Sequence, residues 1–175
     1  MTFRDLTGAP SYEFESTDAD AFDRILEGEK RDYAMAAGIN PLDAEQAKKI
    51  HDMGLITEHS YGLIAAARVK NKEGNDVELV QLRNPWGNFE WNGAWGDNSD
   101  CWTPELKKKL NVSTNPDDGL FWMDFEDMKK FFGRCQIAKI QDDYYFSNMK
   151  CQGNCTYNLV KLRVPETGEH TFSVS

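Results

Sequence analysis

The sequence predicts an α+β fold built mainly from antiparallel strands, and three observations carry that expectation. Two β-favourable runs, His59 to Val69 and Val77 to Arg83, flank a segment of turn formers, Asn71-Lys72-Glu73-Gly74-Asn75-Asp76, which is the pattern of a hairpin. Helical periodicity occurs only in short segments scattered between strand patterns. The chain also closes in a β pattern, with Tyr157 to Val164 and His170 to Val174 reading as short strands. At 175 residues with 40% hydrophobic content, it can bury a real core as one domain, or one domain and the start of another.

In order, Thr7-Gly8-Ala9-Pro10 is turn chemistry, and the Tyr12/Phe14 alternation behind it predicts a brief strand. A helix is expected from Thr17 or Asp18, capped by that side chain, with Phe22, Ile25 and Leu26 on its buried face and an end at Gly28 or the Lys30-Arg31 pair. Tyr33 to Ala37 is a small, apolar strand closed by Gly38 and Pro41, and Asp43 to His51 a second short helix. After the hairpin, Thr103 or Pro104 opens a lysine-rich helix to Leu110. Asn115 to Gly119 is an acidic turn, Leu120 to Met123 a strand, and Asp124 caps a helix that ends at Gly133. A last strand is expected from Gln136 to Gln141. The boundary falls after Asp142-Asp143: residues 1–143 form the main unit and 144–175 the start of a β domain.

Composition excludes several functions. A net charge of -9 argues against duplex nucleic acid or an anionic membrane as partner, and leaves room for divalent cations. The longest apolar run, Leu63 to Ala67, cannot span a bilayer, and no signal peptide is legible, so an intracellular, cytoplasmic protein is the expectation. Cys101, Cys135, Cys151 and Cys155 are too few and too irregular for a disulfide framework. The Cys151/Cys155 pair lacks the further ligands of a zinc site. Two glycosylation triplets, at Asn111 and Asn154, are incidental without a secretory signal.

Gln81 to Asp97 is the unusual stretch, holding Trp86, Trp91 and Trp95 of the five tryptophans among glycines, asparagines and carboxylates. Asn84 comes after a strand pattern and precedes Pro85, so its backbone should be extended and its amide aimed from a fixed frame. A regular hairpin would bring His59, at the start of one strand, to the same end as Asn84. Histidine against asparagine is half of a Cys/His/Asn protease site, where the amide fixes the imidazole's tautomer and the imidazole ionises a thiol. Trp86 is placed to cover that hydrogen bond, while Trp91, Trp95, Trp102 and Trp122 read as core.

These residues resemble the calpains. Glu58-His59-Ser60-Tyr61 is similar to the family's histidine segment, Arg83-Asn84-Pro85-Trp86-Gly87 to its asparagine segment, and Trp91-Asn92-Gly93-Ala94-Trp95-Gly96-Asp97 to the loop that comes after that asparagine. Asp118 to Asp127 resembles the close of that half of the protease core, and Asp5-Leu6-Thr7-Gly8 its beginning. The resemblance implies the second, β-rich subdomain of a papain-like calpain protease core over 1–143, with Tyr144 to Ser175 opening the β-sandwich domain next in order. It implies a calcium-dependent cysteine endopeptidase acting on proteins, with His59 and Asn84 catalytic and Trp86 a gate. The cysteine segment of the family, on a glycine-aspartate-cysteine-tryptophan helix start, is not in this sequence; the Cys-bearing half would act in cis or in trans. Cys101-Trp102 lies after the asparagine rather than before the histidine, and reads as a packed or semi-exposed thiol.

The resemblance further implies calcium ligands at Glu90, Asp97 and Asp118, with the Pro116 carbonyl as a backbone oxygen; Leu120 stands where the family usually has another glutamate, which weakens the site. The rival reading is a non-catalytic calpain-like module that binds or regulates in response to calcium. A plainer possibility, an acidic β protein with an unrelated tryptophan-rich core, requires His59 and Asn84 to lie apart.

Overall fold

The strand alternation seen in the sequence organises the whole architecture. In the computed structural model, which describes residues 3, 7–40, 43–113, 115, 118–140, 161, 163, 167 and 168, the described strands form one six-stranded antiparallel sheet. The elements are β1 (Ser11–Glu15), α1 (Ala21–Lys30), β2 (Ala34–Ile39), α2 (Ala44–Asp52), β3 (His59–Lys70), β4 (Asp76–Arg83), α3 (Pro104–Lys109), β5 (Leu120–Asp124), α4 (Phe125–Phe131) and β6 (Arg134–Ala138). The sheet order is β1-β6-β2-β3-β4-β5, so the β3–β4 hairpin lies near its centre. This is the mainly antiparallel α+β fold expected of a calpain-type second protease subdomain.

Both faces of the sheet are covered, which explains why its strands are apolar on both sides. On β4, Val80 and Leu82 join the larger core with Phe22, Ile25, Tyr61, Phe121 and Met123, beneath α1 and α4. Val77 and Leu79 point the other way, against Trp95, Trp102, Val112 and Trp122. Loop 95–112 is thus fastened to the sheet by a satellite core of indoles, with Trp95 and Trp102 edge-to-face at 4.9 Å. Burial of such side chains contributes about 1.5–3 kcal/mol each.

β3 does not keep one alternation along its length. A β-bulge at Ile64 breaks the register: Leu63 pairs with Leu82, but Ala65 pairs with Gln81. Before it, odd residues Tyr61 and Leu63 face the larger core; after it, even Ala66 does, while Ala65, Ala67 and Val69 turn to the satellite core. A slip of one residue exchanges faces.

Two sequence expectations shift, and one choice left open is decided. The first helix starts at Ala21, not at Thr17 or Asp18, and its Asp20 N-cap makes no side-chain cap bond. The cause is tertiary: Ser16 is pinned to the corner before β6, its N–H on Gly133 O at 2.9 Å and its hydroxyl on Phe132 O. Asp18 and Asp20 instead pair with Arg24. Of the two ends expected for this helix, the Lys30-Arg31 pair is the observed one, since the helix runs to Lys30 with Arg31 as C-cap; a Cβ at Gly28 would meet Met35 Sδ at 2.6 Å, so glycine there permits α1 to lie close on β2. β6 spans Arg134–Ala138 rather than Gln136 to Gln141, because β1 and β2 supply partners only as far as Ala138. The helices capped by Asp43, Thr103 and Asp124 form as expected, each cap accepting a backbone N–H. No helix among the described residues is long and apolar enough to cross a membrane. The proposed 144–175 unit, apart from residues 161, 163, 167 and 168, and with it Cys151 and Cys155, lies outside the described residues, as does the Pro116 carbonyl.

Candidate functional site

The bulge decides which side chains meet at the open end of the hairpin. Gly62 pairs with Arg83, so one step further Asn84 faces Tyr61, and residues of Tyr61's parity share its side of the sheet. His59 has that parity; in an unbulged hairpin Ser60 would have it instead. The expectation of a regular hairpin brings the two residues to the same end of the ladder, and the bulge turns their side chains to the same face. His59 and Asn84 meet, with Nε2 3.0 Å from Oδ1, and the plainer alternative that needs them apart is removed.

Asn84 is fully buried and all of its polar atoms are engaged. Its backbone N–H donates to Gly119 O at 2.8 Å and its carbonyl accepts from Gly87 N–H at 3.0 Å. Nδ2 donates to Asn88 O at 2.7 Å and to Phe89 O at 3.2 Å, while Oδ1 accepts from Trp86 N–H at 3.1 Å. Two carbonyls on one side and an N–H on the other leave a single orientation for the amide. Oδ1 can only accept, so Nε2 of His59 is the donor in this contact, and the tautomer that fits it carries its lone pair on Nδ1.

Aromatic rings hold the imidazole in place. Tyr61, fully buried, meets it edge-on at 5.0 Å, and Trp86 lies 4.8 Å from it at 46°. The Tyr61 hydroxyl accepts from Ile56 N–H at 2.7 Å, and burial raises its pKa. Trp86 is 62% exposed and lies against the half-buried His59, so it forms the outer wall of the site. Trp91, Trp95, Trp102 and Trp122 are all buried, as the sequence suggests.

Beneath this pair lies the acidic group. Glu90 Oε1 accepts from Gly119 N–H at 2.7 Å, and Gly119 is the residue whose carbonyl receives Asn84. Burial, chiefly, and the charges of Asp97 and Asp118 push the Glu90 carboxyl up to about 7, against the lowering pull of Gly119 N–H. Burial and then Asp118 raise Asp97, whose Oδ2 is buried without a hydrogen-bond partner. Asp118 accepts from Ser113 Oγ at 2.5 Å and Leu120 N–H at 2.8 Å. Carboxylates that destabilise one another's charge, one with an unpartnered oxygen, have the chemistry of a hard-cation donor set. Among the described residues, however, no three His, Cys, Asp or Glu side chains are already gathered into a metal site.

Among the described residues, neither cysteine approaches the imidazole as a partner. Cys101 is half-buried at the edge of the satellite core, its N–H on Ser99 Oγ. Cys135 is buried in the sheet, and burial pushes its thiol up to about 12.

Sequence reasoning missed Tyr61, Gly119 and the carbonyls of Asn88 and Phe89. Tyr61 lies two residues beyond His59 on one strand, so period 2 alone could have found it. Nothing local announces that Gly119 packs on Asn84: a Cβ there would stand 2.4 Å from Asn84 O.

Comparison with known proteins finds relatives over most of the chain. The profile of the calpain family cysteine protease matches residues 1–139. Calpain-9 of Mus musculus is 35% identical over 144 residues, covering 79% of this chain and 21% of that protein. The calpain-1 catalytic subunit of Bos taurus is 32% identical over 146 residues, covering 81% of this chain and 20% of its own length. That of Rattus norvegicus is 31% identical over 160 residues, covering 89% and 22%. The chain thus spans about a fifth of the length of these curated relatives.

Proposed function

Because this chain belongs to the calpain family of cysteine proteases, we propose that it supplies the histidine and asparagine of a Cys/His/Asn endopeptidase site that hydrolyses peptide bonds in proteins. The observation that carries this reading is the 3.0 Å contact of His59 Nε2 with Asn84 Oδ1, in an amide whose other side is tied to two carbonyls. The nucleophile is a cysteine thiol on a family-type first half, joined in the same polypeptide or supplied by another chain; the described residues do not turn over substrate by themselves.

The chemistry proceeds from the tautomer. With Nε2–H committed to Asn84, Nδ1 takes the proton of the incoming thiol, giving thiolate and imidazolium. The thiolate sulfur bonds to the scissile carbonyl carbon, and as the C–N bond breaks the imidazolium returns its proton to the leaving amine. Nδ1 then takes a proton from the water that attacks the thioester, releasing the acid and restoring the thiol. Asn84 stabilises the imidazolium and keeps the ring from turning; Trp86 keeps water from the hydrogen bond.

Calcium is proposed as the switch, with Glu90, Asp97 and Asp118 as side-chain ligands and Pro116 O as a backbone donor. When bound, the ion supplies the positive charge that the three carboxylates lack. Leu120 supplies no oxygen, so affinity should be lower than that of a site with a further glutamate. The non-catalytic module remains the rival, and the fully engaged Asn84 counts against it, since a binding module has no need of a fixed imidazole tautomer.

Joining residues 1–140 to the cysteine-bearing half of a calpain-1 catalytic subunit tests the proposal. The chimera should cleave a protein substrate, and His59→Ala should abolish turnover while Asn84→Ala reduces it by about 10²-fold or more. Undiminished cleavage by the His59→Ala chimera would end the catalytic reading.

A further inference from the structure

Beside the His59/Asn84 pair, two non-glycine residues, Glu58 and Phe89, stand in the left-handed region, and the bulky, aromatic Phe89 is the one whose carbonyl reaches Asn84. Phe89 has φ +64°, in the left-handed region that bulky L residues rarely enter, and nothing in its own sequence neighbourhood requires this. Its carbonyl is one of the two acceptors of Asn84 Nδ2. Its ring, 37% exposed, lies 4.7 Å from the imidazole of His51 at the C-terminal end of α2. An aromatic side chain held near the surface, on a backbone turned against its preference, needs something to keep it there.

The rest of that loop is fastened to the same helix end. Asn92 N–H donates to Met53 O at 3.1 Å, and Asn92 Nδ2 to Asp52 O at 3.0 Å. Gly54, at φ +81°, lies so close that a Cβ would meet Glu90 O at 1.9 Å. The end of α2 therefore acts as an anvil for residues 89–92, and Phe89 in that segment presents one of the carbonyls that orient Asn84.

We propose that Phe89 is a positioning residue for the His59/Asn84 pair: its ring, seated on His51, holds the Phe89 peptide so that the carbonyl captures Asn84 Nδ2 and turns Oδ1 to His59. This inference rests on reading His59 and Asn84 as the catalytic pair. Without the ring, the peptide relaxes toward negative φ, the carbonyl leaves Nδ2, and the amide, left with Asn88 O and Trp86 N–H alone, rotates more readily. A rotated amide would present N–H to His59 and favour the opposite tautomer, with the lone pair on Nε2 and no free base facing the thiol.

Long-range ¹H–¹⁵N correlation spectra of the imidazoles, recorded on the full chain at a pH where histidines are neutral, read the tautomer directly. Wild type should show His59 as a single Nε2–H form. Phe89→Ala and His51→Ala should move it toward a mixture and lower the exchange protection of the Asn84 amide protons about tenfold, while Phe89→Tyr, which keeps the ring, should retain the wild-type signature. Urea midpoints recorded alongside identify any variant that fails to fold, and Phe89→Leu then replaces it as the ring-deleting variant. A single Nε2–H form in wild type that persists unchanged in Phe89→Ala overturns this inference alone. A wild-type His59 protonated on Nδ1 overturns the pair itself and the inference with it.

Discussion

Replacing Gly119 by alanine strikes the one point where the Asn84 backbone and the acidic group share a peptide. Gly119 has φ +80°, and an added Cβ would stand 2.4 Å from Asn84 O and 3.0 Å from Gly87 Cα, main-chain atoms that cannot swing aside. The left-handed conformation costs an alanine about 1–2 kcal/mol relative to glycine. Separating Cβ from the Asn84 carbonyl to ordinary contact needs a shift of about 1 Å, and such overpacking costs about 1–3 kcal/mol more. The expected loss is about 2–5 kcal/mol, a large fraction of a domain's roughly 5–15 kcal/mol. Gly74→Ala is the control, because Gly74 has φ +85° with nothing within 4 Å of its Cβ position. It should incur only the conformational cost. Urea unfolding monitored by tryptophan fluorescence compares the two at constant m, and the His59 imidazole spectrum shows whether the 3.0 Å contact with Asn84 survives. Equal midpoints for the two variants, with the His59 tautomer intact in both, would refute the close packing of Gly119 on Asn84.

The same site yields further expected outcomes. The Glu90 carboxyl titrates at about 7 in the folded protein against an ordinary 4.5, so between those values the folded state holds more protons than the unfolded. In chelator, stability from this group is therefore present below about pH 4.5 and lost as pH rises to 7; urea midpoints should fall across that window, and Glu90→Gln should flatten the fall. Titration calorimetry with calcium should give binding heat for the wild type and none for Asp97→Ala, whose unpartnered Oδ2 is removed; no heat from the wild type would dismiss the ion. Cys135, buried and with its thiol pushed up to about 12, should resist alkylation in the native protein and react only on unfolding, as read by mass spectrometry.

Much of this protein is legible in its sequence because the signals are local. The caps at Asp43, Thr103 and Asp124 form where a short polar side chain precedes an apolar or lysine-rich run, and each satisfies an N–H that the helix cannot. The hairpin arises from alternation and turn residues, and Asn84 is marked by its place between a strand and Pro85. The errors have a common origin. Ser16 delays α1 by bonding to the corner at Phe132 and Gly133, and β6 stops where its neighbours stop. In each case the deciding partner lies outside the local stretch, and local preference is a weak force beside it.

The sequence by itself determined that His59 and Asn84 would reach the same end of one hairpin, and the family to which that pairing belongs. Only the tertiary structure decided that their side chains meet. The bulge at Ile64 changes the parity of β3, bringing His59 rather than Ser60 to Asn84's side, and no composition rule marks that residue as a bulge. The amide is then oriented by the Asn88 and Phe89 carbonyls and the Trp86 N–H, while Gly119 O on the edge of β5 holds the Asn84 backbone. Periodicity and caps are written residue by residue. Register and carbonyl direction are properties of the packed sheet, fixed only when both of its faces are buried at once.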